Sequence, residues 1–174
     1  MKIEFLEGGK VCNAHGVRGV LKTESWCDSP KVLAGQKRIF FADGVGGYTE
    51  HKVLGASVSG AFVLLTLEGV DSYDKAIALK NTVFYLRRED IPLKRGAMFI
   101  VDMIGLPVID KNTGRVYGEI SAVNDVPRGR LYTIKTDTGE VLLPHVDVFV
   151  KEIDAERGML VTPIPGFFDE PDEV

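Results

Sequence analysis

Turn-forming sequences recur at short intervals through the second half of this chain, and they restrict its fold more than any other feature. Each contains glycine beside proline, aspartate, asparagine or a charged residue, a composition that favours tight turns. They lie at residues 111–114, 127–129, 137–139 and 156–158. The segments between them are short and rich in β-branched and aromatic residues, as in a small barrel or sandwich. The predicted strands are residues 106–109, 116–123, 131–135, 141–143, 148–153 and 159–161.

The first half of the chain has the same β pattern with one clear helix. Apolar runs bounded by turn residues predict strands at 10–12, 20–24, 38–42, 48–58, 61–67 and 82–86. Apolar residues at helical spacing predict a helix over residues 71–80. Its N-cap is Asp71 or Ser72, and Asn81 provides a C-terminal stop. A proline-containing turn predicts a further short helical segment that ends near Leu33. The predicted fold class is all-β with one or two short helices, arranged as two small β-barrels in tandem.

The length of 174 residues suits one large domain or two small ones. A charged stretch that contains proline and ends in glycine separates the two halves, and it is predicted to be an interdomain linker. The predicted domains are residues 1–90 and 97–168. The linker is placed at 91–96, and an acidic tail follows at 169–174.

The net charge of −4 conceals an uneven distribution between the halves. Residues 1–95 contain 14 Lys and Arg against 11 Asp and Glu, whereas residues 96–174 contain 7 against 14. The first half therefore carries a net charge of +3 and the second a net charge of −7. This distribution excludes a protein that binds bare nucleic acid over its whole surface, because such a protein would be basic throughout.

A glycine-rich bend lies between the first two predicted strands. Gly16 and Gly19 allow positive φ or a close backbone approach, so the segment is predicted to be a strand–turn–strand corner. Val17 is expected to point inward, while His15 and Arg18 stay on the outside of the bend. Two interpretations are open. The bend is either a structural corner with a solvated arginine or a contact point for a phosphate-bearing partner, and phosphate contacts need a wider patch of charge than one loop supplies.

Motifs for catalysis and metal binding are scarce. The chain has no G-x-x-x-x-G-K-[ST] phosphate loop and no G-x-G-x-x-G at the start of a helix. Cys12 and His15 form a C-x-x-H arrangement, but a structural zinc site needs two further ligands of matching spacing. A cysteine nucleophile would need an orienting third group. We therefore interpret the protein as a binder with no cofactor and no metal, and not as an enzyme. The rival hypothesis is a small thiol or metal enzyme that uses Cys12 and His15.

The expected location is the cytoplasm, with both thiols reduced. No apolar run approaches the ~20 residues that a membrane-spanning helix needs. The first residues carry a glutamate among apolar side chains, which is not typical of a signal peptide. Two cysteines are also too few for the disulfide framework of a small secreted domain.

Several motifs occur in the order found in the bacterial ribosome maturation factor RimM family. The first-half motifs are His-Gly-Val-Arg-Gly at 15–19, Leu-Glu-Gly-Val-Asp at 67–71, Ala76 and Leu79 in the helix, and Arg-Glu-Asp-Ile-Pro at 88–92. The second-half motifs lie at 102–108, 114–123, 142–144, 149–154 and 164–167, and they resemble that family's second domain, a PRC-type β-barrel. Each motif alone is weak, but their ordered succession covers nearly the whole chain.

The resemblance implies a non-enzymatic assembly factor that binds the immature small ribosomal subunit near its head. It implies contact with small-subunit ribosomal protein nineteen and with the head rRNA, assistance in rRNA processing, and no membrane partner. The free protein is expected to be a monomer. The acidic second half suits a basic ribosomal protein, and the mildly basic first half suits rRNA. An alternative is a PRC-type scaffold for a non-ribosomal complex.

The resemblance also points to individual residues. The family carries a tyrosine pair before its second domain that is important for subunit binding, and Met98 and Phe99 occupy the matching positions here. Phe99 keeps an aromatic anchor, whereas Met98 keeps only apolar bulk. The candidates for rRNA contact are His15, Arg18 and Lys22, and the structural turn residues are Gly16 and Gly19.

Overall fold

A computed structural model of the chain describes residues 3–93 and 97–168. These residues form two compact units, one in each described range. Strands predominate in both units, and the described helices are short. The fold is therefore all-β with short helices in two tandem units, as predicted. The predicted acidic tail at 169–174 and the last part of the predicted linker, 94–96, lie outside the described residues.

The first unit is a closed six-stranded barrel. Its strands are β1 Phe5–His15, β2 Val20–Ser25, β3 Arg38–Ala42, β4 Tyr48–Ser59, β5 Phe62–Leu67 and β6 Val83–Arg87. Its helices are α1 Pro30–Ala34 and α2 Tyr73–Ala78. The order around the barrel is β1-β2-β5-β4-β3-β6, and all neighbours are antiparallel. Pairing of β6 with β1 closes the sheet, so this barrel has no free edge strand among the described residues.

The core of the barrel forms because alternate side chains of each strand point inward. On β5, Val63, Leu65 and Leu67 are buried, and the residues between them are half-buried. Leu21 of β2 and Phe84 of β6 are also fully buried in the same cluster. Each such side chain stabilises the fold by roughly 1.5–3 kcal/mol relative to an exposed position.

Helix α2 is shorter than the helix predicted over residues 71–80. Its N-cap is Ser72, whose hydroxyl accepts a hydrogen bond from the backbone N–H of Lys75 at 3.4 Å. Asn81 follows the helix with a φ of 66°, a left-handed conformation that asparagine tolerates better than most residues. The N–H of Asn81 donates a hydrogen bond to the carbonyl of Val11 at 2.7 Å, so the chain is bonded to β1 soon after the helix ends.

The second unit is built on one six-stranded sheet, preceded by the short helix α3 at Ile100–Met103. Its strands are β7 Pro107–Asp110, β8 Val116–Val126, β9 Gly129–Lys135, β10 Glu140–Pro144, β11 Val150–Asp154 and β12 Gly158–Val161. The strand order is β10-β9-β8-β7-β12-β11. β7 and β12 pair in parallel, and the other neighbours are antiparallel. Helix α3 is not among the predicted elements, because four residues are too few for a helical period to be visible.

Aspartate side chains fix two turns of the second unit. Asp110 accepts hydrogen bonds through Oδ1 from the backbone N–H groups of Asn112 and Thr113, at 2.7 and 3.0 Å. The hydroxyl of Tyr117 donates to Oδ2 of Asp110 at 2.7 Å. The tyrosine hydroxyl and the two N–H groups hold the pKa of the Asp110 carboxyl below its ordinary value. Asp154 makes the same kind of turn before β12, so local chemistry sets where these strands begin and end.

An arginine–carboxylate clamp fixes the turn that follows β6 to β3. Arg38 donates from Nε to Oδ2 of Asp90 at 2.7 Å and from Nη2 to Oδ1 at 3.0 Å. Paired bonds of this kind are stronger and more directional than a single ion pair. Asp90 ends a 3₁₀ turn at Arg88–Asp90, and the next side chain, Ile91, packs against the first core. The start of the segment predicted as a linker is therefore attached to the first unit.

We expect this clamp to make stability depend on pH in the acid range. The Arg38 guanidinium holds the pKa of the Asp90 carboxyl below its ordinary value. The stabilisation is therefore present above the ordinary aspartate pKa of ~3.9, and it is lost as pH falls through the lowered pKa of the folded protein. The free energy of unfolding of the wild type should exceed that of Asp90→Asn at neutral pH, and this difference should shrink in acid. Urea unfolding followed by the fluorescence of Trp26, the only tryptophan, measures both.

Asp28→Asn is the control for this comparison. Asp28 is exposed and has no ion pair among the described residues. The free energies of unfolding of the wild type and of this variant should differ little at every pH. The wild type and Asp90→Asn should differ more at neutral pH than in acid. If their difference in the free energy of unfolding is instead constant from neutral to strongly acid pH, the clamp does not stabilise the barrel.

Candidate functional site

The glycine-rich bend forms the loop of the β1–β2 hairpin. In the ladder, His15 at the end of β1 pairs with Val20 at the start of β2. Between them, Gly16 and Gly19 have φ values of 68° and 80°. Glycine adopts this region readily, whereas other residues enter it with strain. Both glycines therefore occupy backbone conformations that the tight loop requires.

Gly19 also lies against the rest of the barrel, whereas Gly16 does not. A Cβ atom added at Gly19 would press on the carbonyl of Val70, 2.7 Å from its carbon, and would lie 2.8 Å from the backbone nitrogen of Ser72. Among the described atoms beyond its chain neighbours, none lies within 4 Å of a Cβ added at Gly16. Val17 is 79% exposed, so the prediction that it points inward is wrong. The loop meets the barrel through the backbone of Gly19, and the chain that it meets is distant in sequence.

The loop leaves two polar side chains in solvent. His15 and Arg18 are both exposed, and Arg18 makes no ion pair with any residue that the structure describes. Lys22 has a different environment, because its Nζ lies 4.0 Å from the centroid of the Phe62 ring on β5. This is a cation–π distance. The three predicted rRNA-contact residues therefore divide into a pair at the loop and a lysine farther along β2.

Phe62 lies beside this site and is not among the residues predicted from the sequence. β2 pairs with β5 so that Glu24 lies opposite Phe62 and Lys22 lies opposite Leu64. Paired and diagonal residues on one face of a sheet lie within contact distance. The alternation of β5 assigns Phe62 to the outer face, but only the pairing of two separate hairpins places its ring near Lys22.

Met98 and Phe99 precede helix α3 in the second unit. Met98 is half-buried and packs against the core of that unit. Phe99 is half-buried, and its carbonyl accepts the first helical hydrogen bond from the N–H of Asp102 at 2.9 Å. The next two side chains, Ile100 and Val101, are exposed. The segment therefore combines one residue directed at the core with a short run of accessible apolar side chains.

The described residues contain neither a metal-binding cluster nor a membrane-spanning helix. No group of three His, Cys, Asp or Glu residues is placed to hold a metal ion, and no helix has the length and apolar character needed to cross a bilayer. Cys12 and Cys27 are free and half-buried. Burial raises the pKa of the Cys27 thiol, which lowers the fraction of its nucleophilic thiolate form.

Comparison with known families matches both units. The model of the RimM N-terminal domain matches residues 6–91, and the model of the RimM PRC barrel domain matches residues 100–168. The chain belongs to the RimM family of ribosome maturation factors. The bend lies inside the first matched region, whereas Met98 and Phe99 lie in the interval between the two.

Individual RimM proteins match this chain over nearly its full length. Ribosome maturation factor RimM of Ruminiclostridium cellulolyticum is 31% identical, covering 94% of this chain and 96% of its own. Ribosome maturation factor RimM of Symbiobacterium thermophilum is 34% identical and covers 96% of both chains. The solution structure of the N-terminal domain of RimM from Thermus thermophilus covers 52% of this chain and 98% of its own. It aligns with a TM-score of 0.42 at 21% identity.

Proposed function

We propose that this RimM-family protein is a non-enzymatic assembly factor that binds the immature small ribosomal subunit near its head. In the cytoplasm it assists the processing of small-subunit rRNA and the assembly of the subunit. The observation that carries this proposal is the ordered match of both RimM domains, at residues 6–91 and 100–168. The uneven charge of the two halves supports a different partner for each domain.

We assign the rRNA contact to the bend of the first domain. The guanidinium of Arg18 is exposed and has no ion pair within the described residues, so its charge is available to a phosphate. His15 adds a second polar group at the same loop. Lys22 keeps its charge above the ring of Phe62, because an aromatic ring does not neutralise a cation. Gly16 and Gly19 set the backbone of this loop and need no contact of their own.

We assign the contact with small-subunit ribosomal protein nineteen to the second domain. Residues 96–174 carry a net charge of −7, which complements a basic ribosomal protein. Phe99 is the proposed aromatic anchor, and the exposed Ile100 and Val101 extend its apolar surface. Met98 is proposed to support the anchor from the core side, since it already packs against that core.

Recovery of ribosomal particles on the tagged full-length protein tests this proposal. The wild type should retain small-subunit particles that contain immature rRNA and ribosomal protein nineteen. Phe99→Ala should lower that recovery roughly tenfold, because truncation of an aromatic anchor typically costs more than 1 kcal/mol of binding. Val148→Ala is the matched control, since it truncates an exposed apolar side chain of the same unit and should leave recovery unchanged.

The same assay across a range of salt concentrations separates the bend from the anchor. Arg18→Ala should reduce the slope of log affinity against log salt by about 1, as expected when one phosphate contact is lost. Lys31→Ala, which removes an exposed cation on α1, should not change the slope. Recovery of mature subunits as efficiently as immature ones would contradict the proposed function. Recovery of a complex without ribosomal components would instead favour a PRC-type scaffold.

A further inference from the structure

Four aromatic side chains pack together on one side of the first barrel. We call Phe5, Phe40, Tyr48 and Tyr85 the outer aromatic cluster. The rings of Phe5 and Tyr48 stack with their centroids 4.1 Å apart. The ring of Phe40 meets Phe5 edge to face at 5.0 Å, and the ring of Tyr85 meets Tyr48 edge to face at 4.9 Å. These are favourable geometries for aromatic pairs, so the four rings form one packed group.

The outer aromatic cluster is separate from the barrel core. Tyr85 of β6 pairs with Glu7 of β1 and with Phe40 of β3. The residues on either side of Tyr85, Phe84 and Leu86, are buried in the core. Because side chains alternate across a sheet, Tyr85 and the residues opposite it face outward. The barrel therefore carries a second, smaller apolar group on its outer surface.

This cluster is only partly covered by the chain itself. Phe40 is 4% exposed, whereas Tyr48 retains 38% of its accessible surface. Within the described residues, neither Tyr48 nor Tyr85 uses its hydroxyl in a hydrogen bond. Phenylalanine would pack equally well at both positions, so packing does not explain the two hydroxyl groups. Tyrosines that combine an accessible ring with a free hydroxyl are typical of protein interfaces.

Carboxylates surround the cluster. We call Glu4, Glu7, Glu50 and Glu89 the carboxylate rim. The side chains of Glu4, Glu50 and Glu89 are each more than half exposed. The arginines that pair with them, Arg38 and Arg87, are mostly covered, and their charges are already matched inside the unit. Four carboxylates, those of Glu4, Glu50, Glu89 and Asp90, share these two arginines, so the pairs leave an excess of negative charge. The exposed Glu7 adds to this excess and the exposed Lys52 offsets part of it, so the charge that these residues present is net negative, although the domain as a whole is mildly basic.

We propose that the outer aromatic cluster and the carboxylate rim form a docking surface for a basic segment of a partner protein. Guanidinium and ammonium groups bind both to tyrosine faces and to carboxylates. In the described contacts, Glu4, Glu50 and Glu89 each use one carboxylate oxygen, which leaves the other for a partner. The rings supply an apolar centre, and the rim supplies charge complementarity around it.

RNA fits this surface less well than a basic polypeptide does. Aromatic side chains also stack on nucleobases, but single-stranded RNA binders add a positively charged groove along the backbone. Lys52, opposite Arg38 in the β3–β4 ladder, is an exposed cation on this face, and one lysine does not make such a groove. Phosphates would meet the carboxylate rim and be repelled by it.

The docking surface goes beyond the proposed function. It lies on the first domain, whereas the protein contact proposed above lies at the start of the second. Its test needs no ribosomal particle. The protein could therefore bind small-subunit particles and not the peptide, or the peptide and not the particles, and the two proposals can fail separately.

Titration of ¹⁵N-labelled full-length protein with a peptide of alternating arginine and glycine tests the surface. The backbone signals of the cluster and the rim should shift. In fluorescence anisotropy, Tyr48→Ala should weaken binding of the labelled peptide about fivefold, since it removes the most exposed ring. Glu7→Gln should also weaken binding, and it should reduce the salt dependence. Val45→Ala, in the exposed loop before β4, is the control and should bind as the wild type does.

Two comparison probes decide between partner classes. A peptide of alternating glutamate and glycine should leave the cluster unshifted, and so should an oligouridylate. The proposal would be overturned if the oligouridylate shifted the cluster in place of the basic peptide. It would also be overturned if the basic peptide shifted only the acidic second unit. If Tyr48→Ala does not fold, Glu7→Gln decides, because Glu7 has no ion pair among the described residues. Unchanged affinity of that variant would then contradict the proposal.

Discussion

Replacement of Gly19 by alanine is expected to destabilise the first barrel by about 3 kcal/mol. The positive φ of this residue strains alanine by roughly 1–2 kcal/mol. The added Cβ would also press on the backbone of Val70 and Ser72, where the chain enters α2. Overpacking of this kind costs roughly 1–3 kcal/mol. Because the opposing atoms belong to the backbone, no side-chain rotation can relieve the contact.

Gly16→Ala separates these two contributions. Gly16 has a φ similar to that of Gly19, but the described structure leaves open space around a Cβ added there. The free energy of unfolding is therefore expected to fall by only about 1 kcal/mol. Urea unfolding followed by the fluorescence of Trp26 reports on the first unit, to which this residue belongs. Equal losses at the two glycines would mean that the overlap of the added Cβ with the backbone of Val70 and Ser72 adds no cost at Gly19.

The second large effect is expected at Tyr132 in the core of the second unit. Its side chain is fully buried and packs with Ile120 and Ile134. Tyr132→Ala removes a large side chain from a closed site and should cost about 4 kcal/mol, because the surrounding structure fills such a cavity only partly. The hydroxyl of Tyr132 lies 2.7 Å from Nδ1 of His145, within hydrogen-bond distance. Tyr132→Phe keeps the ring and removes the hydroxyl, with its contacts to His145 and Arg130, so it should cost about 1 kcal/mol.

Hydrogen exchange at the backbone amide of Ile134 can follow these variants, because the only tryptophan lies in the first unit. Val148→Ala, at an exposed position of the second unit, should change the free energy of unfolding by no more than about 0.5 kcal/mol. If Tyr132→Phe were as unstable as Tyr132→Ala, the contribution of Tyr132 to stability would come from its hydroxyl and not from the packing of its ring.

Much of the fold could be predicted from the sequence because local contacts set many of its element boundaries. Asp110 and Asp154 hold their turns with bonds to backbone N–H groups two and three residues ahead. Ser72, one of the two predicted N-cap residues, caps α2, and the left-handed conformation of Asn81 follows that helix. β3 spans the predicted residues 38–42 because a short apolar run lies between two turns. Each of these signals lies within a few residues of the structure that it determines.

The parts of the site that the sequence did not predict depend on strands that are far apart in the chain. The ring of Phe62 lies near Lys22 only because β5 pairs with β2. The outer aromatic cluster draws its members from four strands, and no pair of them is adjacent in sequence. The contact of Gly19 with the backbone of Val70 and Ser72 likewise joins residues about fifty positions apart, so no local pattern predicts it. Residue types and turns therefore predict the elements, whereas the surfaces require the pairing of the strands.

The parallel pairing of β7 with β12 has a consequence for the order in which the protein is completed during synthesis. β7 is the first strand of the second unit and β12 is the last, and Val108 and Ile109 lie opposite Met159 and Leu160. One side of β7 therefore has no strand partner until β12 has been translated. The first barrel closes earlier, because its last strand, β6, is synthesised before the second unit begins. A ribosome that makes this protein thus carries a finished first barrel while the sheet of the second unit still lacks an inner strand.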